Sequence, residues 1–167
     1  MEIRLLTPSD AESYWKLRLE ALKNHPEAFS SSYEEAMEKE NPVEETAKRF
    51  TAAINHTFGA FADGELIGMV TLLQEKGAKI QHKAYIVAMY VTSGKQGTGI
   101  GKALLETAIN KAKTIESIKK INLSVNASNE KAKSLYQKLG FQVFGHEKNA
   151  LLIEGIYYDE EHMDLRL

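Results

Sequence analysis

One stretch of the sequence decides the fold: Val87-Ala88-Met89-Tyr90-Val91-Thr92-Ser93-Gly94-Lys95-Gln96-Gly97-Thr98-Gly99-Ile100-Gly101-Lys102-Ala103-Leu104-Leu105. An apolar run typical of a β-strand ends in a glycine-dense turn, and an amphipathic helix begins directly after that turn. Glycines at positions 97, 99 and 101 remove side chains from the turn, so a ligand can approach the backbone closely. The unpaired N–H groups and the positive dipole end of the helix point into the same space. The stretch therefore predicts a seat for phosphate oxygens.

Two common phosphate loops do not fit this turn. A Walker A loop requires Gly, four residues, Gly-Lys and then Ser or Thr. Here Gln96 stands five positions before Gly101, and Ala103 follows Lys102. The dinucleotide pattern Gly-x-Gly-x-x-Gly also fails, because its last position falls on a lysine or a leucine. These mismatches argue against a nucleotide phosphatase or kinase, and they leave the pattern Gln96-x-x-Gly99-x-Gly101.

Length and composition are typical of one globular domain. The 167 residues are 43% hydrophobic and 26% charged, which is enough to bury a sizeable core. The net charge of −2 favours neither nucleic acid nor a membrane surface as a partner, and no apolar run reaches the ~20 residues of a membrane span. Cysteine is absent, which excludes disulfides and thiolate metal sites. Because Met-Glu-Ile-Arg does not begin a secretory signal, we expect a cytoplasmic protein.

The first third of the chain predicts one strand and two helices. Residues 2–6 are typical of a short strand, and Thr7 is placed to cap a helix that runs to Asn24. Residues 27–41 are acidic and loosely patterned, which indicates a loop or a short irregular helix. Residues 43–54 predict the second helix. Its apolar side would consist of Val43, Ala47, Phe50 and Ile54.

From Thr57 onward the hydrophobic period changes to two, which predicts strands. Residues 58–62 and 66–73 flank Asp63-Gly64, a strong hairpin signal. Residues 79–91 predict the strand that leads into the glycine turn. The remaining predicted elements are a helix from Ile100 to Thr114, a strand over 121–125, a helix after Asn129 closed by Gly140, and strands over 141–147 and 150–167.

A second informative block lies one helix and one strand after the glycine turn: Asn129-Glu130-Lys131-Ala132-Lys133-Ser134-Leu135-Tyr136-Gln137-Lys138-Leu139-Gly140-Phe141. It resembles the GNAT motif Asn-x-x-Ala-x-x-Leu-Tyr-x-Lys-Leu-Gly-Phe at every defined position. The glycine turn resembles the acetyl-CoA pyrophosphate loop of the same superfamily of N-acetyltransferases, Gln/Arg-x-x-Gly-x-Gly/Ala. The resemblance extends to the element order of the whole chain and implies a single N-acetyltransferase domain over residues 1–167.

The resemblance implies an α/β (α+β) fold built on a mixed, mostly antiparallel central sheet. About seven strands and about four helices would follow one another in the order β-α-α-β-β-β-α-β-α-β-β. A bulge near Ala88-Met89 would splay this strand from the strand at 121–125 and open a slot for the pantetheine arm of acetyl-CoA. A backbone N–H at the bulge would polarise the thioester carbonyl as it becomes an oxyanion.

The resemblance also assigns the residues that bind acetyl-CoA, with no metal. Asn129 would hydrogen-bond the pantetheine arm or simply cap its helix, and Asn126 would contact the cofactor or only end its strand. Lys138 would reach the 3′-phosphate or only face solvent. The full set of expected cofactor-binding residues is Met89, Tyr90, Val91, Gln96, Gly97, Thr98, Gly99, Ile100, Gly101, Lys102, Asn129, Ser134 and Lys138.

Tyr136 is the expected catalytic residue. When an amine attacks the thioester directly, the leaving group is the CoA thiolate, which a phenol within hydrogen-bond reach can protonate. Its spacing from Leu139 alone would favour core packing, whereas the complete motif favours a general acid. Since no cysteine can carry an acyl group, we expect direct transfer to a primary amine in a ternary complex.

The general base and the acceptor stay open at this point. The acceptor would be a small-molecule amine or a protein or peptide amine, selected by residues 17–41. The alternative function is a non-catalytic sensor or interaction module that binds CoA or acyl-CoA. Homodimers are common in the family, although no apolar stripe in this sequence indicates one. Candidates for the base are Glu20, Glu34, Glu35, His82, Tyr85 and a bound water.

Overall fold

Seven strands and five α-helices make up the chain, and the computed structural model describes all residues from 1 to 167. The strands are β1 (Glu2–Leu5), β2 (Asn55–Ala62), β3 (Glu65–Gln74), β4 (Lys83–Val91), β5 (Lys120–Asn126), β6 (Gln142–Ile153) and β7 (Ile156–Arg166). The helices are α1 (Ala11–Asn24), α2 (Tyr33–Met37), α3 (Pro42–Phe50), α4 (Ile100–Thr114) and α5 (Glu130–Lys138). None of the helices combines the length and the apolar character that a membrane crossing requires.

The strands form one sheet in the order β1-β2-β3-β4-β5-β7-β6. Every neighbouring pair is antiparallel except β4 and β5, which run parallel. The expected fold class, a mostly antiparallel seven-stranded sheet with flanking helices, is confirmed. There is one helix more than expected, because Ser32 and Glu35 exchange hydrogen bonds that cap the short α2 inside the acidic segment.

Two apolar cores lie on the two faces of the sheet. On one face, the buried stripe of α4, including Leu104 and Ala108, packs with Tyr136 of α5 against the central strands. On the other face, Tyr14 and Leu17 of α1 pack against Met69 of β3. Fully burying a leucine-sized side chain contributes about 1.5–3 kcal/mol, so both helix layers are fixed to the sheet around β4.

The second predicted helix is shorter than its apolar pattern suggested. The helix ends at Phe50 and not at Ile54, because the Thr51 hydroxyl donates a hydrogen bond to the carbonyl of Lys48 and closes the last turn. Its buried residue is Thr46, whereas Val43 is exposed. The expected apolar side was therefore wrong at its first and last positions.

Two strand boundaries also differ from the prediction. The strand expected from residue 79 begins at Lys83, because the preceding residues form turns closed by hydrogen bonds such as Ile80 N–H to the Gly77 carbonyl. The last hairpin turns at Glu154-Gly155 and not near Asn149. Both turn residues have positive φ angles, 49° and 80°, which suits the tight turn of a β-hairpin. The break expected near Asn149 is instead a bulge within β6.

Candidate active site

The parallel strands β4 and β5 separate in the middle of the sheet. They pair only at their first residues, from Lys83 opposite Lys120 to Tyr85 opposite Asn122. In the antiparallel pair of β3 and β4, the register then shifts by one residue, and Ala88 adopts a φ of 51°. An extra residue of this kind bends a strand. The bulge expected near Ala88-Met89 is confirmed, and β4 and β5 form no pairs beyond Tyr85 and Asn122.

The glycine turn lies at the end of β4 and presents free backbone N–H groups. Gly97 and Gly99 have φ angles of 77° and 89°, and a Cβ at either position would meet nothing within 4 Å. No amide from Gln96 to Lys102 donates a hydrogen bond within the chain. The turn is held by side chains, because Gln96 Nε2 donates to the Val91 carbonyl at 2.9 Å and Thr98 Oγ1 donates to the Lys95 carbonyl at 2.6 Å.

Gly101 brings the two sequence motifs into contact. A Cβ at this position would lie 3.2 Å from Met89 Cε and 3.8 Å from Leu135 Cδ2. The first turn of α4 therefore approaches both the bulged strand and α5, as only a residue with a small side chain permits. Leu135 directly precedes Tyr136 in α5, so the glycine turn and the second motif are neighbours in the fold.

Tyr136 is buried against the edge of the Phe141 ring, with ring centroids 5.9 Å apart. Burial raises the pKa of Tyr136 to about 12. Because this pKa lies far above neutral, the phenol keeps its proton under all ordinary conditions. The side chain is therefore available as a neutral phenol with a hydrogen-bond donor and not as a phenolate.

The other expected cofactor residues differ in their local roles. Asn129 Oδ1 accepts a hydrogen bond from the Ala132 amide at 3.1 Å, so it caps α5. Asn126 ends β5 and accepts hydrogen bonds from both the amide and the hydroxyl of Ser128. Ser134 and Lys138 are exposed on α5.

Two further expected cofactor-binding residues, Lys102 and Tyr90, form polar contacts with other side chains of the chain. Lys102 is exposed and pairs with Glu106 one turn later, at 3.6 Å. The Tyr90 side chain turns away from the slot toward α1, where its hydroxyl donates a hydrogen bond to Glu20 Oε1 at 2.9 Å.

Several residues expected as candidates for the general base form structural hydrogen bonds or lie away from the slot. Glu20 also accepts a hydrogen bond from Thr92 Oγ1, so it fastens α1 to the end of β4. Glu35 caps α2. His82 is exposed at the opposite end of β4, where its carbonyl accepts hydrogen bonds from two backbone amides. Tyr85 shares the last paired position of β4 with Asn122 and so lies where the slot begins.

A row of polar side chains beside the slot escaped the sequence analysis. Ser124 hydrogen-bonds His162 Nδ1 at 2.8 Å, and His162 Nε2 hydrogen-bonds Glu147 at 3.0 Å. Glu160 pairs with Asn126 at the carboxyl end of β5, and burial raises its pKa. These residues come from β5, β6 and β7 and share a face only through strand register. The alternation of Asn122 and Ser124 with buried residues was the one signal available in the sequence.

A cavity of about 180 Å³ lies on the α1 side of the bulge. It is lined by Arg18 of α1, by Arg49 of α3 and by Val87 and Ala88 of β4. Sequence reasoning did not single out either arginine, because each is an ordinary residue of an amphipathic helix.

Comparisons with known proteins identify the family and the fold of this chain. Residues 18–141 match the family model described as acetyltransferase (GNAT) family. A spermidine N(1)-acetyltransferase of Vibrio cholerae serotype O1 is 31% identical over 102 residues, which cover 61% of this chain and 57% of that protein. The chain thus spans little more than half of this curated relative.

Solved structures share the whole fold. The acetyltransferase of the GNAT family from Streptococcus pneumoniae has a TM-score of 0.88 at 24% identity, with 99% of each chain covered. A putative acetyltransferase from Salmonella typhimurium, solved with its cofactor acetyl-CoA, has a TM-score of 0.83 at 19% identity, covering 100% of this chain and 94% of that one. With a family model that matches most of its length, this chain belongs to the GNAT acetyltransferase family.

Proposed function

We propose that the chain is one N-acetyltransferase domain that transfers an acetyl group from acetyl-CoA to a primary amine by direct attack in a ternary complex. One observation carries the proposal: the slot at the Ala88 bulge leads directly to a turn whose amides are all free to bind phosphate oxygens. The Salmonella structure with acetyl-CoA supports the choice of cofactor, since the two folds match over the full chain.

The cofactor would be bound mainly by backbone groups. The amides of residues 96–101 would donate hydrogen bonds to the diphosphate, and hydrogen bonds to charged groups contribute about 1.5–3 kcal/mol each. The pantetheine arm would pair with the backbone of Met89, Tyr90 and Val91 as an added strand. Lys102, Asn129, Ser134 and Lys138 would contribute polar contacts around this path.

In the proposed transfer, the amine nitrogen attacks the thioester carbonyl carbon and the C–S bond breaks. A backbone N–H at the bulge would stabilise the oxyanion, and the Tyr136 hydroxyl would donate a hydrogen bond to the departing sulfur, which leaves as the CoA thiolate. A thiol has a pKa of about 8.5 and a phenol at about 12 is the weaker acid, so complete proton transfer is uphill by about 5 kcal/mol. Tyr136 would therefore act chiefly as a hydrogen-bond donor as the thiolate charge develops.

Glu160 is our candidate for the general base. An amine substrate is mostly protonated near neutral pH and has to lose a proton before it attacks. Glu160 belongs to β7 and lies opposite Asn126, the last residue of β5, which borders the slot. Burial raises the pKa of Glu160, which makes it a stronger base than an ordinary surface carboxylate. Its neighbour His162, bonded to Ser124 and Glu147, would pass the proton toward solvent.

Release of free CoA in the presence of amines tests the proposal. The purified protein is mixed with acetyl-CoA and a panel of polyamines, amino acids, amino sugars and peptides, and the liberated thiol is measured. Amine-dependent release supports the transferase. Calorimetric binding of CoA without release for any amine would instead support the alternative, a non-catalytic CoA-binding module.

A further inference from the structure

The cavity beside the bulge is lined by side chains from five elements. Tyr14 and Arg18 come from α1, and Arg49 and Phe50 come from α3. Its floor is the sheet, and its lining includes Val87 and Ala88 at the bulge of β4. The cavity and the proposed thioester position therefore share the same bulge.

Arg18 is a half-buried cation without an anionic partner. Its Nη1 atom is inaccessible to solvent and has no hydrogen-bond partner, and its guanidinium lies 4.7 Å from the centre of the Phe29 ring. Burial lowers the pKa of Arg18, and nearby Arg49 lowers it further. A guanidinium keeps its proton in proteins, so the cavity wall carries an uncompensated positive charge.

Arg4, unlike Arg18 and Arg49, is paired with a carboxylate of the chain. Arg4 donates two hydrogen bonds to Asp10, one from each terminal nitrogen, both 2.8 Å long. Arg49 hydrogen-bonds only the hydroxyl of Thr46, at 3.2 Å, and neither Arg18 nor Arg49 forms an ion pair. The guanidinium fork matches the geometry of a carboxylate or a phosphate, and no aspartate or glutamate lines the cavity.

The floor of the cavity is polar and already ordered. The Thr57 hydroxyl donates to Asn55 Oδ1 at 2.9 Å and shares a 2.8 Å hydrogen bond with the Thr71 hydroxyl. The volume of about 180 Å³ is smaller than the roughly 300–1,000 Å³ of pockets for drug-sized ligands. The site therefore suits a small polar molecule and not a folded protein surface.

We infer that the acceptor is a small amine that also carries a carboxylate, which binds Arg18 and Arg49 while the amine reaches the bulge at Ala88. This inference rests on the proposed acetyl transfer, since it names the substrate class of that site. A polyamine is disfavoured, because a second ammonium group would meet two guanidinium groups in a partly desolvated cavity.

The test compares amines that differ only in the anionic group. L-amino acids are assayed beside their own amides, with phosphoethanolamine and spermidine as further probes. The best amino acid is expected to exceed its amide by about tenfold or more in kcat/KM, the effect of one charge-assisted hydrogen bond. Equal rates for acid and amide, or preference for spermidine, would overturn the inference, and preference for phosphoethanolamine would replace the carboxylate by a phosphate.

Variants separate the pocket from the fold. Arg18→Met and Arg49→Met should each raise KM for the amino acid by about tenfold or more, change the amide less than threefold and leave KM for acetyl-CoA unaltered. The matched control is Arg166→Met at the exposed end of β7, which should alter none of these values. An unchanged acid-to-amide ratio in the Arg18 variant would contradict the inference, whereas its amide activity shows that the protein has folded.

Binding keeps this test independent of turnover. If no amine releases CoA, the proposed function fails, and the pocket is then probed by calorimetry with amino acids and CoA-loaded protein. Binding that is lost in Arg18→Met would support the carboxylate site in a non-catalytic protein. Absence of binding for every amino acid would refute it.

Discussion

The two sides of strand β4 offer ligands different kinds of polar group. On the α4 side, the glycine turn offers backbone amides that have no partner within the chain. On the α1 side, the cavity offers two guanidinium groups above a floor of hydroxyls. Backbone recognition requires glycines at fixed spacing, so it leaves a short pattern in the sequence. Recognition by side chains from several elements depends only on the fold, so it leaves none.

The largest expected effect is on kcat and comes from replacing Tyr136 on the α4 side of the sheet. Tyr136→Phe removes the hydrogen-bond donor to the departing thiolate and should lower kcat by up to about 1,000-fold, the upper end of the effect of losing one donor to a developing negative charge. KM for acetyl-CoA and the preference for amino acids over amides should persist. Steady-state kinetics provide the measurement, and Tyr157→Phe on the exposed β7 is the control. Full activity of the phenylalanine variant would remove Tyr136 from the mechanism.

The next effect concerns Glu160 of β7, the proposed general base. Glu160→Gln should lower kcat about 100-fold, at the low end of general base catalysis because a water can substitute. Burial raises the pKa of Glu160, so activity of the parent protein should fall as the pH drops through that pKa and the carboxylate takes up a proton. The variant should lack this acidic limb of the pH profile. Glu65→Gln, an exposed carboxylate in β3, is the control, and an unchanged profile would exclude Glu160.

A smaller effect tests recognition by the backbone. Gly99 has a φ of 89°, where a side chain is strained, so Gly99→Ala should shift the turn and misalign its amides. KM for acetyl-CoA should rise about tenfold, equivalent to one lost charge-assisted hydrogen bond, while KM for the acceptor changes little. Gly155→Ala introduces the same strain in a distant hairpin, at a φ of 80°. Equal changes in both variants would mean that only folding had been affected.

The smallest effect on activity should come from breaking the ion pair between Arg4 and Asp10. Hydrogen bonds from Arg4 hold the pKa of Asp10 at about 2, below its usual 3.8. This stabilisation is present above about pH 4 and is lost as the pH falls toward 2. Asp10→Asn should therefore reduce the free energy of unfolding by about 1–2 kcal/mol near neutral pH, without changing kcat.

Urea unfolding at pH 7 and near pH 2 measures the effect of the Asp10 variant. The difference between variant and parent should shrink at the lower pH. Asp63→Asn, in an exposed turn, is the control. In the same assay, Arg18→Met should be at least as stable as the parent, because an unpaired buried charge is removed. A large loss of stability there would show that Arg18 supports the fold.

Features that depend on neighbouring residues were predictable from the sequence, whereas features that depend on the packing of distant elements were not. The hairpin at Asp63-Gly64, the α4 stripe and the glycine turn were predictable, because each depends on neighbours within a few residues. The bulge at Ala88 was expected only through the family resemblance, since nothing local distinguishes this alanine from its neighbours. The α3 boundary was missed because the Thr51 hydroxyl closes the helix within an otherwise continuous apolar pattern.

The proposed acceptor site could not be predicted from local sequence patterns. Arg18 and Arg49 lie on helices separated by α2, and their proximity depends on how both helices pack on the sheet. Glu160 reaches Asn126 only through the register of β5 and β7. That register changed when the last hairpin turned at Gly155 and not near Asn149, so the expected strand boundaries could not have placed Glu160 correctly.

Ala88 has a consequence for attempts to make the protein more thermostable. An alanine at a φ of 51° costs about 1–2 kcal/mol relative to ordinary backbone, so substitutions that regularise this strand would be enriched in any selection for heat resistance alone. A regular β4 would pair with β5 along its whole length and close the gap. Thermostable variants from such a screen should therefore include inactive ones, and a screen should select for residual turnover together with melting temperature.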